Sequence, residues 1–212
     1  MRLTNSRVAC ENIHFAKRLA RDGVIKRLEK GRYYKAGVTK FGEKGPLEAD
    51  VVKSLAEGGY VSGNVIYNEL GLTDQVPNEI VIIGKQYNRK KEIGNISIKY
   101  QKREGKFNHK SRKYLQILDA MKDIKKIPGV APSEVLDRLI IIVKAMNMTE
   151  QERLAKYGTE YKPMVRALLG AIFDELGSNL SSSLEMSLNP LTNYNIGLKM
   201  SRVSTLKRWK IA

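Results

Sequence analysis

Prolines and their spacing place the tightest limit on how this chain folds. From residue 113 onward the apolar pattern is helical, and Pro128, Pro132 and Pro163 punctuate it. Proline fixes φ and has no amide proton, so it suits the first turn of a helix and breaks the interior. The pattern therefore predicts helices over roughly 113–125, 132–146, 149–157 and 162–176. The tail, from SSSLEMSLNP onward, is expected to hold a short helix or strand before a basic terminus.

The first half reads differently. Residues 11–22 predict a helix, with Ile13, Ala16, Leu19 and Ala20 at helical spacing and Gly23 as its stop. Residues 24–35 read as a β-hairpin and 36–46, rich in Gly and Lys, as a linker. Helices are expected at 47–57 and 63–70, and strands at 79–83 and 95–101. The turn-rich, basic QYNRKKEIGN between those strands suggests a second, very basic hairpin or ribbon. Gly71 suits the left-handed end of helix 63–70, Thr73 and Asp74 suit local backbone donors, and Pro77 leads into an extended strand. Ile80 and Ile82 are candidate core residues.

The expected fold class is α+β: a partial or shortened N-terminal winged helix-turn-helix, then a mixed α/β, mostly helical C-terminal domain. The expected domains are 1–40 and 41–212. Only about eleven residues precede the first helix, so support for the winged helix is expected from elsewhere in the fold or from a partner chain.

Charge narrows the function. The net charge is +16 over 212 residues. Residues 17–40 hold nine Lys/Arg against two acids, 85–113 hold eleven against two, and 199–210 hold five and none. The rest of the chain is net acidic, so the positive charge is segregated, as on a surface that meets a polyanion. Apolar residues make up 42% of the chain, enough for a core. The longest apolar run, 139–143, is far too short to span a bilayer. With a single cysteine, Cys10, and no signal-like N-terminus, the expected location is cytoplasmic, with no membrane partner.

On the first helix His14, Lys17, Arg18 and Arg21 are three or four residues apart and share a face, with Ile13, Ala16 and Ala20 opposite. A basic helix followed at once by a hairpin is the second half of a winged helix: helix in the major groove, wing on the backbone or minor groove. The candidate DNA contacts are thus His14, Lys17, Arg18 and Arg21. Lys26, Arg27, Lys30, Arg32 and Tyr33 join them on the hairpin, and Arg89, Lys90, Lys91, Lys102 and Arg103 on the ribbon. Tyr33 and Tyr34 suit either core packing or a hydrogen bond to phosphate. No catalytic, metal or cofactor site is expected. His14 and His109 lie far apart, no phosphate-gripping Gly-Lys-Ser/Thr loop occurs, and no G-x-S-x-G elbow occurs. Glu160-Tyr161-Lys162 has the Glu-x-Lys spacing of some metal-dependent nucleases but sits beside Pro163 among helices rather than on a strand. Ser204-x-x-Lys207 has no feature that marks its lysine as buried.

The block GYVSGNVIYNELGLTDQVPNEIVIIG, residues 59–84, resembles one in the AbiEi-like antitoxin family of bacterial type IV toxin–antitoxin (abortive infection) systems. KGRYYK, YLQILDAMKDIKKIPG (114–129), YKPMVRALLGAIFDEL (161–176) and SLNPLTNYNIGL (187–198) are similar to further blocks of that family, so the resemblance runs from about 12 to 209. It implies a non-enzymatic protein in two parts. One is a winged helix that binds double-stranded DNA at its own promoter as an autorepressor. The other neutralises a nucleotidyltransferase-like toxin, without a stable complex being required. The residues alone also allow a basic interaction module, or a winged-helix regulator with no antitoxin role.

Overall fold

In the computed structural model the described residues are 13–29, 32–35, 37–39, 42–44, 48–85, 87–93, 96–105, 107–198 and 203–212. Helix α1 (Ile13–Arg21) ends where glycine allows it. Gly23 has φ 74°, and the amides of Gly23 and Val24 donate back to the carbonyls of Ala20 and Leu19. This pairing satisfies the last turn and needs a left-handed residue. Strands β1 (Lys26–Glu29) and β2 (Arg32–Tyr34) follow as the antiparallel hairpin.

The segment expected as a linker holds a second antiparallel pair, β3 (Gly37–Thr39) and β4 (Gly42–Lys44). The glycines that suggested a linker border or begin three-residue strands, too short for apolar alternation to show. A winged helix is more than these elements. The residues before Ile13 lie outside the described residues.

Helix α2 (Glu48–Leu55) leads into a four-stranded sheet of β5 (Gly59–Ser62), β6 (Glu79–Gly84), β7 (Arg89–Ile93) and β8 (Ile96–Lys102). Its spatial order is β5-β6-β8-β7, and β6 and β8 run parallel. Expected strands 79–83 and 95–101 are therefore neighbours, but not the two arms of a hairpin. Parallel strands cannot be joined by a tight turn. The intervening segment instead forms β7, which pairs antiparallel with β8 on its outer side.

The sheet buries both faces. Ile80, Ile82, Ile98 and Tyr100 pack with Leu55 and Ala56 at the end of α2. At about 1.5–3 kcal/mol for each large aliphatic side chain fully buried, this small cluster is what keeps α2 on the sheet. The opposite face contributes Tyr60 and Ile83 to the main core. Between β5 and β6, α3 (Asn64–Glu69) is closed by Gly71 at φ 68°. Thr73 then donates to the Pro128 carbonyl at 2.6 Å and accepts from the Gln75 amide at 3.2 Å.

The helical layer comprises α4 (His109–Lys122), α5 (Pro132–Lys144), α6 (Met148–Gly158), α7 (Pro163–Glu175) and α8 (Ser181–Glu185). Pro132 and Pro163 occupy first-turn positions. Reciprocal caps start α4 and α6: Asn108 with Ser111, and Asn147 with Glu150. The Asn108 cap sets the start of α4 four residues before the apolar pattern does. No described helix is long and apolar enough to cross a membrane.

The tail returns to α7 through a 3-10 turn at Ser204–Lys207, and Trp209 lies buried against Gly170. Glycine inside a helix costs about 1 kcal/mol relative to alanine, so this one needs a reason. A Cβ there would lie 2.2 Å from Trp209 Cη2, and the indole is held by its Nε1 donating to Asp174 Oδ2 at 3.1 Å. Gly170→Ala is therefore expected to destabilise the protein by about 1–3 kcal/mol through overpacking, measured by urea unfolding. In a Trp209→Ala background the same change should be neutral or stabilising, because helix propensity then acts alone.

Candidate nucleic-acid interface

Helix α1 is divided by burial. Ala16 is fully buried, while Lys17, Arg18 and Arg21 are exposed. Arg18 and Arg21 fall in the last turn, where the helix dipole favours positive charge. The hairpin continues the basic surface with exposed Lys26 and Arg27, whereas Arg32, Tyr33 and Tyr34 are half-buried. The side chain of His14, and Lys30 entirely, lie outside the described residues.

The ribbon β7–β8 forms the second basic surface. Side chains alternate between faces along each strand, and the register sets Arg89 opposite Tyr100 and Lys90 opposite Lys99. The Arg89 guanidinium lies 4.6 Å from the centre of the Tyr100 ring. Lys90 and Lys99 fall on the other face, where Lys90 reaches Glu79 at 2.9 Å. Arg89, Lys90 and Lys102 are exposed and Lys91 is half-buried. A shallow groove of about 510 Å³ runs along the ribbon, lined by Arg89, Lys90, Lys99 and Lys102 among others.

Not every cation in the three basic stretches joins these surfaces. Arg208 pairs with Asp174 at 2.7 Å and Glu185 at 2.8 Å, and Lys210 donates to the Pro190 carbonyl. These contacts fasten the tail to the helical layer. Arg103, expected as a phosphate contact beside Lys102, turns inward.

Arg103 joins a buried polar cluster around Asp119, whose side chain is fully buried on α4. Asp119 Oδ2 accepts from Tyr60 at 2.8 Å and Ser62 at 2.9 Å. Its Oδ1 lies 3.0 Å from the Tyr161 hydroxyl, 3.3 Å from Lys122 Nζ and 3.4 Å from Arg103. Arg103 also donates to the Tyr60 and Tyr161 hydroxyls and lies over the Tyr161 ring. Tyr67 donates to Asp123 and reaches the Asp119 carbonyl. None of these side chains lines the ribbon groove or the smaller pocket beside Gly59. The contacts therefore describe a structural joint, in which Tyr161 of the Glu-x-Lys triplet is a member and Glu160 and Lys162 are not. Among the described residues no group of three or more His, Cys, Asp or Glu is placed to hold a metal ion.

A family model described as a family of unknown function, DUF6088, matches residues 7–149. The chain belongs to the DUF6088 family. No curated protein matches it. Among solved structures, the crystal structure of the Rv2827c protein from Mycobacterium tuberculosis is similar, with a TM-score of 0.49 and 12% identity. That likeness covers 85% of this chain and 71% of the other. The DUF6088 match takes in both basic surfaces and the Asp119 cluster except Tyr161.

Burial, and then the adjacent Asp119 charge, push the Tyr60 and Tyr161 hydroxyls above the ordinary phenol range; Arg103 opposes both. Burial and then Asp123 do the same to Tyr67. A phenol whose folded-state pKa is raised lends stability that is complete below the unfolded value, about 10, and is lost as pH climbs towards the folded value. Stability of this DUF6088 protein from these groups is therefore expected to fall above about pH 10, with a shallower fall in Tyr161→Phe, read as the urea midpoint against pH. Asp119→Asn leaves its donors facing an amide and removes the charge that balances Arg103 and Lys122. It should cost about 3–5 kcal/mol, measured by the same unfolding.

Proposed function

We propose that this protein binds duplex DNA at its own promoter and represses transcription, acting as the antitoxin of a two-gene system. One observation carries the DNA reading: α1 buries Ala16 while exposing Lys17, Arg18 and Arg21, and a hairpin exposing Lys26 and Arg27 follows at once. In this reading α1 enters the major groove and the hairpin acts as the wing on the backbone. The β7–β8 ribbon adds phosphate contacts through Arg89, Lys90 and Lys102, and Arg103 is reserved for the Asp119 joint.

The antitoxin role, opposition to a nucleotidyltransferase-like toxin, is supported by the sequence blocks at 59–84, 114–129, 161–176 and 187–198. It falls to the helical half, which carries most of those blocks. A promoter-bound bacterial regulator works in the cytoplasm.

The test is a gel shift on the upstream promoter at increasing salt, with Lys17, Arg18 and Arg21 all changed to Glu. All three are exposed, so the variant is expected to fold. Affinity should drop at least about tenfold, and the slope of log affinity against log salt should lose about three of its magnitude, roughly one per lost phosphate contact. Retention equal to the unaltered protein at every salt concentration sinks the reading in favour of a basic module for an acidic protein partner.

A further inference from the structure

We infer that the β7–β8 ribbon is a second binding surface, made for unpaired nucleotides, with Tyr87 as its stacking platform. Tyr87 sits just before β7 and is 82% exposed, although its ring is large and apolar. A lone exposed apolar side chain needs no explanation, but the surroundings of this one do point to a ligand. The Lys102 ammonium lies 5.9 Å from the centre of the Tyr87 ring. The Lys102 backbone amide donates to Asn88 Oδ1 at 2.7 Å, which ties the end of β8 to the start of β7. Arg89, two residues on, is held against Tyr100, and the basic groove runs on from there.

This is the pattern that single-stranded nucleic acid requires: an aromatic face for a base, with cations spaced beside it for the phosphates. A base inside a duplex is stacked on both faces and offers none to an exposed ring, and an acidic peptide would use the cations without the tyrosine. Both the open shape of the groove and the mixture of aromatic and basic groups fit an extended strand better than a small molecule. The ribbon's backbone is paired through β8 to the interior of the sheet, so the platform exists before any ligand arrives.

The inference rests on the reading that this protein's basic surfaces meet nucleic acid and deepens it at the ribbon, through Tyr87, which has no part in the duplex contacts. The probe is a fluorescein-labelled oligothymidylate, with a blunt duplex of equal length as the comparison and oligoglutamate as competitor. Tyr87→Ala should weaken oligothymidylate binding by about tenfold, Tyr87→Phe should retain it, and neither should alter duplex binding. The α1 charge reversal should weaken duplex binding far more than oligothymidylate binding. Equal binding of oligothymidylate by Tyr87→Ala and the unaltered protein overturns the inference while leaving the promoter reading intact. So does competition by oligoglutamate as effective as by unlabelled oligothymidylate. Failure to bind either nucleic acid ends both readings.

Discussion

A single buried carboxylate dictates how the two halves of the sheet-and-helix body meet. Taking Asp119 out of water costs several kcal/mol unless charge and hydrogen bonds replace the solvent. The replacements come from β5 through Tyr60 and Ser62, from the end of β8 through Arg103, from α4 itself through Lys122, and from the approach to α7 through Tyr161. Each donor is useful only where its element stands in one place. Burial of apolar surface alone would tolerate small slips of the sheet over the helices. A carboxylate with five donors does not, because any slip leaves a buried charge short of partners.

The two edges of the sheet are handled in different ways, and the difference bears on function. At β5 the edge is covered: Gln116 of α4 donates from its side-chain amide to the Val61 carbonyl at 2.9 Å. At β7 the outermost strand reads Arg-Lys-Lys-Glu-Ile. Lysines on an edge strand discourage pairing with another sheet, and this protection would account for some of the charge without any ligand. It does not account for Tyr87. Tyr87 is an exposed aromatic face beside that edge, next to a Lys102 ammonium that also pairs with Glu104 at 3.0 Å, and the inferred stacking role draws on that face.

Local chemistry made much of this fold legible in the sequence. Pro132 and Pro163 start the helices they were expected to start, and Gly23 and Gly71 end theirs in the left-handed conformation. Ile80 and Ile82 are core residues. What escaped was whatever depends on distant pairing. The parallel match of β6 with β8 leaves no local mark, since each strand looks the same whichever neighbour it takes. Single hydrogen bonds in the Asp119 cluster span up to 59 positions. Its only advance signal was a set of hydroxyls at Tyr60, Ser62 and Tyr67 in one short block, which also reads as ordinary scaffold. Arg103 is the clearest case. In a run of basic residues it is indistinguishable from Lys102, and only the position of Asp119 decides that one faces water and the other the interior.

That division between two adjacent residues links the joint to the proposed interface. Lys102 closes β8 beside Tyr87, while Arg103 enters the Asp119 cluster and its amide donates to the Gly84 carbonyl at 2.8 Å. The register of β8 against both β6 and β7 is therefore fixed at its C-terminal end by a buried charge. A slip of one residue would send Lys102 towards the cluster and turn Arg89 and Tyr100 onto opposite faces. The desolvation cost that makes the joint intolerant of slippage is thus also what keeps the cations and the exposed ring of the ribbon in fixed relative positions. In the proposed interface, a surface of long, flexible lysines gains a fixed backbone from an interaction that lies away from the surface itself.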